Sequence, residues 1–146
     1  MKMFVAALAV GSALALATSA HAAEHQVKML NKGDKGAMVF QPALVRAAPG
    51  DVIHFLPSDK SHNAETIKGM LPDGATEFKG KMNEEVTVTF DKEGAYGVKC
   101  APHYGMGMVA LIVVGQPVNL DQAETVKQTG KAKTVFGELF AQAAAN

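Results

Sequence analysis

The sequence predicts a mainly β protein, a sandwich or barrel of short strands followed by one or two α-helices. Three observations carry this prediction. Between residues 25 and 115, short runs rich in apolar and β-branched residues recur with turn residues between them. That rhythm belongs to an antiparallel sandwich or barrel. Glu85-Val86-Thr87-Val88-Thr89-Phe90 alternates polar and apolar residues, the period of a strand with one wet face. From Thr134 to Ala145 the period changes, and Val135, Phe136, Leu139, Phe140 and Ala143 recur at helical spacing.

The first 22 residues stand apart from the pattern. Lys2 is followed by an apolar run from Met3 to Ala17 and by the small, polar Thr18 to Ala22. Ala20-His21-Ala22 fits a small-x-small cleavage pattern, so the segment reads as a secretory signal peptide removed after Ala22. The run is short and weakly flanked for a transmembrane helix, and no later stretch approaches spanning length. Residues 23–146 are expected to form one domain of about 124 residues, enough for a single core.

The strands follow in order. His25 to Leu30 is the first, ended by the turn residues Asn31 to Gly36. Met38 to Phe40 and Ala43 to Ala47 come next, separated by Pro42, which marks an edge or a bulge. Pro49-Gly50-Asp51 turns into a dense β run from Val52 to Leu56. Pro57 to Asn63 reads as a loop, and Glu65 to Ile67 as a short strand. After the turn Leu71-Pro72-Asp73-Gly74 comes the alternating strand at 85–90. Asp91 to Gly94 leads into Ala95 to Lys99. Val109 to Val114 is wholly apolar, as a central strand would be. Beyond Gly115-Gln116-Pro117, Asn119 and Gln122 have the spacing of a capping box for the first helix.

Lysine and arginine number 14, as do aspartate and glutamate. That balance suggests neither nucleic acid nor an anionic membrane as partner. The sequence shows no internal repeat and no glycine loop for phosphate. Export implies an oxidising compartment, where cysteines usually pair. Cys100 is the only cysteine. It is an intermolecular bridge, an inert thiol, or a ligand or nucleophile.

Its neighbours favour a ligand. Cys100, His103 and Met108 form the pattern C-x2-H-x4-M between two strands. One thiolate, two imidazoles and a weak thioether make a copper electron-transfer site. Soft sulfur and low coordination suit Cu(I), whereas nitrogen suits Cu(II). A site between the two preferences moves little when the electron arrives. Pro102 stiffens the loop, and Gly105 and Gly107 permit tight geometry. Met108 adjoins a strand and is better held than Met106, which sits between two glycines. The second imidazole is assigned to His62, in the loop Ser61-His62-Asn63, where a side chain can aim inward from one end of a sandwich. The Asn63 N–H could then reach the Cys100 sulfur. His54 lies mid-strand and reads as a core or face histidine. His25 reads as exposed.

With these residues in view, the chain resembles the cupredoxins, the small blue copper proteins, and among them the pseudoazurin branch. The likeness runs through Met29 to Gly33, Gly36 to Phe40, Ser61 to Asn63, Glu65 to Met70, Tyr96 to Met108 and the two-helix tail. It implies a Greek-key sandwich and a single plastocyanin-like domain with a type 1 copper ion. The implied ligands are His62, Cys100, His103 and Met108. It further implies a monomeric periplasmic electron carrier of denitrification, with copper nitrite reductase and c-type cytochromes as redox partners. Met38 would lie near the copper. Lys32, Lys35, Lys60, Lys68, Lys79, Lys81 and Lys99 would rim an apolar docking patch around His103.

Other classes fit less of the sequence. A copper enzyme needs a second, open metal site, and no H-x-H cluster supplies one. A Cys-His nucleophile lacks an elbow motif. A copper storage or delivery protein exposes clustered methionines or histidines, whereas Met38, Met70, Met82, Met106 and Met108 are scattered. Zinc in the same set is disfavoured because methionine is a poor zinc ligand.

Overall fold

The structure, a computed structural model, describes residues 21–145. The segment read as a leader lies, up to residue 20, outside the described residues. Among the described residues eight strands form two four-stranded sheets. They are β1 (Glu24–Gly33), β2 (Gly36–Gln41), β3 (Leu44–Ala47), β4 (Asp51–Leu56), β5 (Glu65–Thr66), β6 (Val86–Phe90), β7 (Gly94–Lys99) and β8 (Val109–Val114). One sheet has the order β2-β1-β4-β6 and the other β3-β8-β7-β5. Two helices follow, α1 (Leu120–Glu124) and α2 (Ala132–Ala144).

The sandwich is not purely antiparallel, as the strand rhythm suggests. β1 runs parallel to β4, and β3 runs parallel to β8. The reason lies at Pro42. It ends β2 in the first sheet, β3 enters the second sheet, and β4 returns to the first beside β1. Strands joined by a tight hairpin must be antiparallel, but a strand that arrives by crossover can lie parallel.

Two cores result. Between the sheets pack Val27, Met29, Phe40, Ile53, Phe55, Phe90, Tyr96, Val98 and Ile112. These are the inward residues of alternating strands. Outside the second sheet, Met70, Val109, Leu111 and Val113 pack against Phe136, Leu139 and Phe140 of α2. This explains the unbroken apolar run of β8. Ala110, Ile112 and Val114 face the first core, and Val109, Leu111 and Val113 face the second. Gly97 of β7 faces the same helical side, where a Cβ would meet the Met70 side chain at 2.7 Å.

The helices begin differently from the reading. Asn119 precedes α1 but makes no side-chain cap. Its Oδ1 accepts the Ala95 N–H at 2.7 Å and its Nδ2 donates to the Ala95 carbonyl at 2.9 Å. The side chain therefore ties the tail to β7. α2 starts two residues before Thr134. Among the described residues no helix is long and apolar enough to cross a membrane.

Candidate metal centre

Three of the four residues singled out by the sequence bring their donor atoms together at one end of the sandwich. His62, Cys100 and His103 have ligand atoms that all lie within 4.8 Å of one another. The fold reaches this arrangement by two loops. Cys100 follows the last residue of β7, and its N–H donates to the Met108 carbonyl at 3.0 Å. The His103 carbonyl accepts the N–H groups of Met106 and Met108 at 3.1 and 3.2 Å. A 3-10 turn, Tyr104–Met106, closes the loop at Gly107, whose φ of 89° suits a residue without Cβ. Cys100 and Met108 are both fully buried in the first core.

His62 arrives on the loop between β4 and β5. Ser61, with φ of 72°, turns the chain inward, and Asn83 holds the loop by accepting the Ser61 N–H and donating its own N–H to the His62 carbonyl. The ring of His62 is fully buried. Its Nε2 lies 2.8 Å from Asn31 Oδ1, an atom that can only accept, so Nε2 carries the hydrogen. The Nδ1 lone pair then faces the cluster. Asn31 comes from β1 and reads in the sequence as a mere turn residue. Its N–H also donates to Asp59 at 2.7 Å, which pins β1 to the ligand loop.

The geometry fits a metal. His62 Nδ1 and His103 Nδ1 are 3.1 Å apart, and Cys100 Sγ stands 3.7 and 3.6 Å from them. A point equidistant from all three lies about 2.0 Å from each, close to ordinary bond lengths from a first-row metal to imidazole and thiolate (about 2.0–2.3 Å). Burial pushes the Cys100 thiol up, while the N–H groups of Asn63 and His103 bond the sulfur and pull it down. The Asn63 contact is the one anticipated from the sequence. Burial, and then the neighbouring charge of His103, lower the His62 imidazole. The His62 imidazole is thus disposed to give up its proton in favour of a cation, whereas the buried Cys100 thiol holds its proton until a cation takes its place.

Asn63 couples the two loops. Its Oδ1 accepts the Ala101 N–H at 2.8 Å, and its Nδ2 donates to Glu65 at 3.0 Å and to the Gly80 carbonyl at 3.1 Å. Lys99 lies 3.5 Å from Glu65 and 5.0 Å from the centroid of the Tyr104 ring. It is therefore occupied within this network, unlike Lys32, Lys35, Lys60, Lys68, Lys79 and Lys81, which are exposed. The tail also supports the loop, which the sequence did not reveal. Lys131 N–H donates to the Gly105 carbonyl at 2.9 Å, and Tyr104 Oη donates to Gln128.

The remaining histidines lie elsewhere. His54 is a face residue of β4, with Nδ1 2.9 Å from Glu85. His25 is not simply exposed. Its Nε2 is 2.8 Å from Asp51, a carboxylate only 6% exposed. Met38 is half-buried against the first core with φ of 54°. Met106 is 49% exposed, beside the exposed Ala101, Pro102 and Gly105.

Known proteins resemble this chain in sequence and fold. The family described as copper binding proteins, plastocyanin/azurin family, matches residues 27–115. A pseudoazurin of Paracoccus pantotrophus is 58% identical over 93% of this chain and 94% of its own length. The crystal structure of pseudoazurin from Methylobacterium extorquens AM1 superposes with a TM-score of 0.79 at 58% identity, over 82% of this chain and 98% of that one. Native pseudoazurin from Hyphomicrobium denitrificans gives 0.79 at 51% identity, with the same coverage.

Proposed function

Because the chain belongs to the plastocyanin/azurin family of copper-binding proteins, and within it to the pseudoazurins, blue copper proteins of electron transfer, we propose that it is an electron carrier. Its copper ligands are His62, Cys100, His103 and Met108. It is exported to the periplasm by residues 1–22, and it delivers electrons to a copper nitrite reductase in denitrification, with c-type cytochromes as further redox partners. It acts as a carrier and not as an enzyme.

The observation that carries this reading is the triangle of two imidazole nitrogens and one sulfur with sides of 3.1, 3.6 and 3.7 Å. A bound copper ion supplies one-electron chemistry by alternating between Cu(I) and Cu(II). The residues set its terms. The thiolate of Cys100 and the thioether of Met108 suit the reduced ion, and the two imidazoles suit the oxidised one. Asn31 and Asn63 hold the donors in place, so the donor set barely rearranges. His103 is half-exposed among Ala101, Pro102, Gly105 and Met106, which form a small, mostly apolar patch for brief docking. The exposed lysines named above draw an acidic partner toward it.

The test is a visible absorption spectrum of the protein with one equivalent of Cu(II), before and after ascorbate. An intense blue or blue-green band should bleach on reduction and return in air, and Cys100→Ala should lack it. A protein with no such band, whose thiol still reacts with an alkylating reagent, would refute the site.

A further inference from the structure

The fold takes hold of the chain at Ala23, and a buried carboxylate helps it do so. His21 and Ala22 are exposed and belong to no strand. At Ala23 the main chain joins the sheet, where its carbonyl accepts the Val52 N–H at 2.9 Å. Glu24 then opens β1. The Ala23 N–H donates to Asp51 Oδ1 at 2.9 Å. Asp51 is only 6% exposed. Its other oxygen accepts the Ala48 N–H at 2.9 Å and lies 2.8 Å from His25 Nε2. The side chain facing this carboxylate is thus the imidazole of His25.

This junction is also where the small-x-small pattern Ala20-His21-Ala22 ends. When an endopeptidase hydrolyses the Ala22–Ala23 bond, the oxygen of water goes to the new Ala22 carboxylate. Both its hydrogens go to the Ala23 nitrogen, which becomes an ammonium group. The donor atom already stands in place, and it gains a full positive charge against a buried anion. Charge-assisted hydrogen bonds of this kind are roughly twice as strong as neutral ones.

We propose that Asp51 is the receptor for the N-terminal ammonium group created when the leader is removed, so that cleavage between Ala22 and Ala23 completes an ion pair fastening β1 to β4. The proposal rests on the export reading above. It makes maturation a stabilising event at the far end of the sandwich from the cysteine. The exposure of His21 and Ala22 leaves the bond open to a peptidase, while everything after it is already held.

The test compares two copper-free chains, one beginning at Ala23 and one at His21, each with Asp51 and with Asp51→Asn. Release from a tag that leaves no extra residue defines the first amino acid. With Asp51, the Ala23 chain should unfold about 4 °C above the His21 chain at pH 7, and the gap should vanish in Asp51→Asn. Equal midpoints with Asp51, or a gap that survives Asp51→Asn, overturn the pair. If Asp51→Asn does not fold, the amine itself gives the answer. Reaction with an amine-acylating reagent at pH 7 should be at least about tenfold slower for the terminus at Ala23 than for the terminus at His21, as one pK unit of protection requires. Equal rates overturn the pair. N-terminal sequencing of protein recovered from the exporting cell separates the two readings. A native terminus other than Ala23 overturns the cleavage assignment and with it the proposal. A terminus at Ala23 with equal midpoints overturns the ion pair alone.

Discussion

At Asn63 a single amide does the work of a hinge pin. Its oxygen holds the main chain beside Cys100, and its nitrogen holds Glu65 and the segment at Gly80. Replacing it by alanine leaves the Ala101 N–H and the Gly80 carbonyl without these partners. Unmade hydrogen bonds of this kind cost about 1–3 kcal/mol each when buried. Asn63→Ala should therefore lower the thermal midpoint of the metal-free protein by roughly 10 °C, and copper should leave it faster to a chelator. A midpoint within a degree or two of the parent would show that water replaces the amide. Met108 makes a different residue-scale prediction. Its side chain is fully buried in the same core as Cys100. Met108→Gln should keep copper but lower the reduction potential, because an amide oxygen in place of the proposed thioether ligand would favour Cu(II). A redox titration checks this, and an unchanged potential removes Met108 from the proposed ligand set.

The same contrast between local pattern and distant contact decides what each element revealed in advance. Strands and helices were legible because alternation and helical spacing are local. Their pairing was not, since the parallel match of β1 with β4 joins Glu24 to Val52 across the whole of β2 and β3. The site divides likewise. Cys100 and His103 share one loop, so their spacing pointed to them, and His62 could be chosen from its own loop; these are the three whose donor atoms come together. Asn31 could not, because it reaches His62 from another strand and looks locally like any turn asparagine. Asn119 is the instructive error. Its spacing to Gln122 fits a capping box, yet the orphan groups of Ala95 on β7 won the side chain. Asn119→Ala should consequently behave as loss of a tertiary tie, not of a cap. Ala95 is fully buried, so about 2–3 kcal/mol should be lost. Denaturant unfolding measures it. A loss below about 0.5 kcal/mol would mean that α1 carries the tail without this tie.

The molecule as a whole separates its chemistry from its fastening. Asn31 near the end of β1 holds His62 of the candidate metal centre, and Ala23 before its start meets Asp51. At the rise of an extended strand those points are about 26 Å apart. The two ends should therefore respond independently. Bonds from His25 first, and then from the main chain of Ala48 and Ala23, hold the Asp51 carboxyl down to about 2. His25 on β1 is the titratable group facing it, and Phe90 stands opposite on β6. In the unfolded chain the same carboxyl titrates near the ordinary value of 3.8. A depressed folded value means that the unfolded state binds the proton first. The contribution of Asp51 is therefore complete above about pH 4, and it is lost as the pH falls through about 2. Midpoints measured from pH 5 to pH 2 should fall more steeply for the parent than for Asp51→Asn, so that the two curves converge in acid. At neutral pH the variant should be the less stable, yet its copper band should match the parent in position and intensity. Parallel curves would exclude Asp51 as a source of acid sensitivity. A displaced copper band would show instead that β1 transmits strain along its length, and that the two ends are not independent.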